Sequence, residues 1–332
     1  MRQQRFEQQY GDQWLILKQL LDDLERSKRK RQQPVDALEQ LPHLYRQVCN
    51  HYALARSRHY SPALVDQLHD LVLRGHRRLY SRSGAGLWQL VSFIASDFPV
   101  TLRRNARYFW LATALFLLPG LLVGGYCYSN PEIIYSLLDS TEVASMESMY
   151  DPANRKPGRA MERGSETNFV MFGVYISNNI GIGFRTFAGG ILYGVGTLFL
   201  LLFNGVVIGA VAGHLTRVGY QETFWPFVSG HGSFELTAIV ICGAAGLMLA
   251  HALIAPGQLT RLGALKAGAK EALKLVMGAA LMLVVAAFIE AFWSSSSAAI
   301  GVKYTVAALL WLIVVLYLGF SGSRTARRGD GS

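Results

Sequence analysis

Beyond Arg107 the chain is cut into long stretches without a single Asp, Glu, Lys or Arg: 108–131, 167–184, 186–216, 236–260, 275–289, 291–302 and 304–323. No feature restricts the fold more. A bilayer core of about 30 Å is crossed by roughly 20 apolar helical residues, and most of these stretches reach or approach that length. They predict transmembrane helices near 108–128, 169–186, 188–213, 234–254, 273–293 and 303–320. Asn178, Asn179 and Arg185 interrupt the second, so a broken or re-entrant helix at Asn178–Gly183 stays open there. The fold class is all-α: a polytopic membrane domain of about six helices, with a helical bundle ahead of it.

Basic flanks give the orientation. Arg103, Arg104 and Arg107 precede the first span, Arg261, Lys266, Lys270 and Lys274 separate the fourth from the fifth, and Arg324, Arg327 and Arg328 follow the sixth. The segment 129–168 carries seven acids and four bases and is the translocated outer loop. Six spans with both termini cytoplasmic satisfy every flank. Lys303, at the outer start of the last span, dissents, and is expected to snorkel to the interface. Met1 to Tyr10 lack the apolar core of a cleavable signal, so translocation is expected to start at the first internal span.

Residues 1–107 hold 18 Lys/Arg against 10 Asp/Glu. In 1–82 three stripes recur at helical spacing. They are Phe6, Tyr10, Trp14, Leu17, Leu21 and Leu24; Val35, Leu38, Leu41, Tyr45, Val48 and Tyr52; and Leu64, Leu68, Leu71, Val72 and Leu79. This reads as a cytoplasmic bundle, its second helix starting at Pro34 and its third at Ser61-Pro62. Residues 83–107 read as an interfacial linker that turns at Pro99 into the first span, and 259–273 as a second interfacial helix. Residues 321–332 form a basic cytoplasmic tail. The run Lys28–Arg31 suits anionic lipid headgroups; the basic charge fixes topology, and no nucleic-acid partner is expected. His43, His51, His59, His69 and His76 share no metal-ligand spacing and read as surface or packing residues.

Polar groups at membrane depth face a protein interior or a wet cavity. The candidate functional cluster is Asn178, Asn179, Asn204, His214, His231, Glu235 and Glu290. His231 and Glu235, at i and i+4, share a helix face. With His214 they make a two-His, one-Glu set of a known zinc type, although HExxH is absent. A hydrogen-bonded network or a solute contact is the other use of the same residues. Gly205, Gly209 and Gly213 line one helix face, and Gly190 and Gly194 another. Packing within the chain is the first reading of such faces and a homodimer the second. The glycines of Ser229–Ser233 are expected to turn the chain back into the membrane, and Ser294–Ser297 to form a polar outer turn. No GxSxG or other catalytic set assembles, no cofactor is implied, and three distant cysteines exclude a disulfide framework.

Several of these segments, Asn178-Asn179, Phe203-Asn204-Gly205, Gly209, His214, His231-Gly232-Ser233-Phe234-Glu235-Leu236, Gly243–Gly246 and Ala287–Phe292, resemble the stage II sporulation protein M family over roughly 170–295. The N-terminal part, with Trp14, Tyr45, His76 and Tyr80, is similar to its longer branch. The resemblance implies a polytopic bacterial inner-membrane protein without established enzymatic activity. It implies an assembly or scaffold role beside envelope partners, with longer members encoded near AAA-type ATPases. Three functional expectations follow: a membrane scaffold, a transporter or channel for a small solute or ion, and an intramembrane metal-dependent hydrolase.

Overall fold

The computed structural model describes residues 3–27, 35–80, 85–153 and 165–322. The basic run Lys28–Arg31, Pro34, part of the expected outer loop and most of the basic tail lie outside the described residues. The chain divides into two units, Met1–Gln89 and Leu90–Ser332.

The first unit holds α1 (Gln3–Ser27), α2 (Val35–Ser57) and α3 (Pro62–Tyr80). All three stripes meet in one core, with Phe6, Trp14, Leu17, Leu21, Leu41, Val48, Leu64, Leu68 and Leu71 buried. Gln3 ties α1 to the start of α3: its amide donates to Ser61 Oγ at 2.7 Å, and its Oε1 accepts from the Ser61 N–H at 2.9 Å. His51 sits among the Phe6, Tyr10 and Trp14 rings, and its Nδ1 accepts the Trp14 indole N–H at 3.2 Å. Burial holds the His51 imidazole below its ordinary value. The unfolded chain therefore binds more protons than the folded one in the acid window, so stability is full above pH about 6.5 and declines below it. The urea midpoint of this unit, followed by proteolysis of the purified full-length protein, is expected to fall between pH 7 and pH 5. A His51→Asn variant should flatten that slope, and an unchanged slope would show that His51 does not titrate with unfolding.

The second unit begins within α4 (Ala85–Ser92), followed by a π-helical turn (Phe93–Asp97) and α5 (Phe98–Arg104). The expected interfacial linker is instead partly docked. Phe98, Pro99, Thr101 and Leu102 are buried, and the Phe98 ring fills the space where a Cβ at Gly278 would stand. The turn into the first long helix falls at Asn105 (φ −106°, ψ 23°), not at Pro99. Pro99 follows the π-helical turn without a break, and its missing N–H frees carbonyls of that turn; the Ile94 and Ala95 carbonyls accept from the Tyr317 and Ser321 hydroxyls, each at 2.6 Å.

Five helices are long and apolar enough to cross a membrane. They are α6 (Ala106–Ser129), α10 (Val195–Arg217), α11 (Gln221–Ile254), α12 (Arg261–Phe288) with its π-helical extension Ile289–Ser294, and α13 (Ile300–Phe320); the count is of the described residues. A further helix among them, α9 (Ser165–Ala188), matches these five in length. It runs unbroken through Asn178–Gly183, so the broken-helix alternative is corrected. Between α6 and α9 lie the short α7 (Ile134–Leu137) and α8 (Ser140–Tyr150).

α11 is the central pillar: 78% of its apolar window is buried, against 11% for α6 and 17% for α13. Its Gly243-Ala244-Ala245-Gly246 stretch admits neighbours closely; a Cβ at Gly246 would meet Thr197 Oγ1 and the Thr186 carbonyl. Large apolar side chains of α6 and α13, such as Leu121, Leu122, Ile313 and Phe320, face outward, as lipid-facing side chains should. α11 begins at Gln221 rather than near 234, so the glycines of Ser229–Ser233 lie inside a helix and make no turn. Each costs that helix about 1 kcal/mol in propensity, which packing against α12 and α13 overrides. α12 likewise merges the expected interfacial helix 259–273 with the fifth span, starting at Thr260, whose hydroxyl accepts the Gly263 N–H.

α6 and α10 form the closest helix pair. Cβ atoms at Gly205, Gly209 and Gly213 would run into the backbone carbonyls of Phe116, Gly120 and Gly124. This periodic glycine face is thus used within the chain. Gly190 and Gly194 do not sit on a helix face. They belong to the α9–α10 turn, Gly190 in its 3-10 segment and Gly194 with φ +87° at the start of α10. Both still allow close approach to α11, at Gly246 and Ala250.

Candidate functional site

The polar residues converge where α11, α9 and the π-helical end of α12 meet. His231 and Glu235 occupy successive turns of α11, as their spacing requires, with side chains 8% and 18% exposed. His231 Nδ1 lies 3.0 Å from Ser294 Oγ, and Nε2 lies 3.9 Å from Glu235 Oε2, too far for a hydrogen bond. Glu290 enters from the π-helical turn, and one ligand atom from each of His231, Glu235 and Glu290 falls within 4.8 Å of the others. π-Helical turns are rare and concentrate at functional sites. Here the turn carries both Glu290 and Ser294 to the pillar.

Asn179 of α9 is buried and hydrogen-bonds the Glu235 side chain. Asn178 donates to Asn179 Oδ1 at 3.2 Å, so an amide relay reaches the carboxylate from the edge of the site. Tyr150, the last residue of α8, packs edge-on against Phe224 and Phe227. Thr223 Oγ1 donates to the Tyr150 carbonyl. Burial, reinforced by the negative fields of Glu290, then Tyr175 and Glu235, pushes the Tyr150 phenol well above its ordinary value.

Lys303 differs from its expected course. It is 2% exposed and donates from Nζ to the Ser294 carbonyl at 2.7 Å. The cation turns into the protein instead of snorkelling, because the π-helical end of α12 offers it the Ser294 carbonyl, on the turn that also carries Glu290. Ser294, expected only in an outer polar turn, links Lys303 through its carbonyl to His231 through its hydroxyl. A lone lysine between charge-free runs was the available signal for Lys303; nothing local to the sequence marks Ser294 or Tyr150.

Two candidates stand apart. His214 does not complete a set with His231 and Glu235; its Nε2 is 2.7 Å from Glu147 Oε1 on α8, with the Tyr135 ring beside it. Among the described residues, Glu290 takes the third place. Asn204 satisfies its amide on its own helix, donating to the Leu200 carbonyl at 2.7 Å, and does not join the cluster.

A cavity of about 850 Å³ opens beside this constellation. Asn178, His231 and Glu235 stand on its wall with Tyr150, Trp225 and Trp311, and the α6–α10 glycines line another side. A second, almost wholly apolar groove of about 370 Å³ shares Phe116, Leu117, Leu236 and Trp311 with it.

The sequence was compared with known families and proteins. The family described as stage II sporulation protein M matches residues 112–295, which include Asn178, Asn179, His231, Glu235 and Glu290 but not Lys303. Residues 4–81 match a domain of unknown function. An uncharacterized protein of Methanocaldococcus jannaschii is 28% identical over 124 residues, covering 35% of this chain and 67% of its own length. No solved structure matches. With more than half of its residues inside the match, this chain belongs to the stage II sporulation protein M family.

Proposed function

We propose that the membrane domain takes a small solute or ion into the cavity from the non-cytoplasmic side. The carrying observation is the cavity of about 850 Å³ with His231, Glu235 and Asn178 on its wall. Polar groups buried in a membrane protein are costly and are retained where a ligand or ion is handled. The orientation rests on Arg103, Arg104 and Arg107 ahead of α6 and on Arg261, Lys266, Lys270 and Lys274 in the first half of α12. These put the α8 end of the domain, and with it the cavity, on the outer face. Cysteine labelling tests this reading. In a background without Cys49, Cys127 and Cys242, Trp225→Cys, at an exposed position on the cavity wall, is expected to react in intact cells with a membrane-impermeant maleimide. Leu262→Cys, exposed near the start of α12, should react only after lysis. Labelling of Trp225→Cys only after lysis, or not at all, would overturn it.

A second reading, a membrane scaffold, is favoured by the N-terminal unit. It has a core of its own and leaves Leu15, Ile16 and Leu73 exposed. A partner on the cytoplasmic side, such as the AAA-type ATPase system implied by the family's longer branch, would dock there. In-cell crosslinking from Leu15 and Leu73 that captures no specific protein would count against it.

A further inference from the structure

We propose that His231, Glu235 and Glu290 form a divalent-cation site of the zinc class, with His231 and Glu235 on the cavity wall. The inference deepens the cavity reading, since its open coordination position needs that access.

The geometry comes first. Zinc bonded to nitrogen and carboxylate oxygen at about 2.0–2.2 Å holds tetrahedral ligand atoms about 3.4 Å apart. The 3.9 Å between His231 Nε2 and Glu235 Oε2 is too long for a hydrogen bond, yet closes on a shared ion with a shift of a few tenths of an ångström. The third ligand atom, from Glu290, lies within 4.8 Å of both. The ligands come from two helices, so tertiary packing pre-forms the set.

The surroundings orient the ligands. A metal-bound histidine is normally fixed by a hydrogen bond at its other ring nitrogen. Ser294 Oγ supplies that bond at Nδ1 and leaves Nε2 towards the carboxylates. Asn179 holds Glu235 in the same way. Glu235 Oε2 is nevertheless a buried oxygen with no hydrogen-bond partner. A buried acceptor left in that state is disfavoured, and a cation shared with His231 and Glu290 would satisfy it.

Charge and ligand type select the ion. Glu235 and Glu290 bring two carboxylates to one imidazole, and a divalent ion matches that donor set in charge. Imidazole disfavours calcium and magnesium, and the absence of thiolate disfavours copper(I). Three protein ligands leave a fourth position open to the cavity, for water or an exchanging solute.

The test uses full-length protein purified in detergent, stripped with chelator and titrated with zinc by calorimetry and elemental analysis. One equivalent is expected, with a nitrogen and oxygen shell free of sulfur in X-ray absorption. His231→Gln and Glu290→Gln should each weaken binding at least tenfold, while Glu147→Gln, at the separate His214 pair, should leave it unchanged. No stoichiometric zinc in the wild-type protein, a sulfur-containing shell, or equal uptake by His231→Gln would overturn the proposal. The wild-type absorption spectrum decides even where a variant fails to fold. If zinc does not bind but Trp225→Cys is labelled from outside, the metal inference alone falls. If zinc binds but labelling fails, the cavity reading alone falls.

Discussion

Alanine at Gly209 is expected to cost the membrane domain about 3 kcal/mol or more, a typical upper value for overpacking, whereas alanine at Gly125 should be neutral or stabilising. Both glycines lie in the tightest helix pair of the protein. The new methyl at Gly209 would collide with the Gly120 carbonyl oxygen, while at Gly125 nothing stands within 4 Å. The obstacle at Gly209 is backbone, so no side-chain rotation relieves it. The only relief is to separate α6 from α10, and that separation would also pull apart the contacts at Gly205 and Gly213, one turn away on either side. At Gly125 the same substitution gains up to about 1 kcal/mol of helix propensity. Thermal melting of the two variants in detergent, read by size-exclusion chromatography, checks the contrast. Equal melting temperatures would mean that the two helices do not approach as closely as their glycines allow.

The α10 face of that pair was legible in the sequence, because glycines at every fourth residue line one face of a helix; its partner, α6, was not, since a packing face does not name what packs on it. The same spacing misled at Gly190 and Gly194. Spacing carries no backbone dihedral, and the turn there holds Tyr193 at φ 50° as well as Gly194. Hydropathy located the membrane-crossing stretches and missed where the helices end. It reports what touches lipid, and neither the first ten residues of α11 nor the first turns of α12 need lipid to stay hydrogen-bonded. For the site, proximity along the chain was the limit. His231 and Glu235 were paired by their spacing, and Asn179 was marked by its depth. Glu290 and Ser294 reach His231 only because α12 packs on α11, a long-range contact that no local pattern encodes. His214 looked like a third ligand until α8 supplied it with Glu147.

Lys303→Met should produce the largest single effect at the site, a loss of about 3–5 kcal/mol, the range for breaking a buried charged interaction by removing one partner. The methionine keeps the volume of the stem but removes the donor to the Ser294 carbonyl. It also takes away a buried cation bonded to the turn that carries Glu290. These two losses separate in a double-mutant cycle. If Lys303 chiefly balances charge, adding Glu290→Gln to Lys303→Met restores part of the stability, with a coupling of about 1–3 kcal/mol. If it chiefly satisfies the carbonyl, the two substitutions add. The charge argument favours coupling, because an unpaired buried carbonyl costs about 1–3 kcal/mol, whereas an unbalanced carboxylate in a membrane domain has few substitutes for an ammonium. Added zinc gives an independent readout: bound beside Glu290, it should raise the melting temperature of Lys303→Met more than that of the wild type, since the ion then supplies positive charge that the variant lacks.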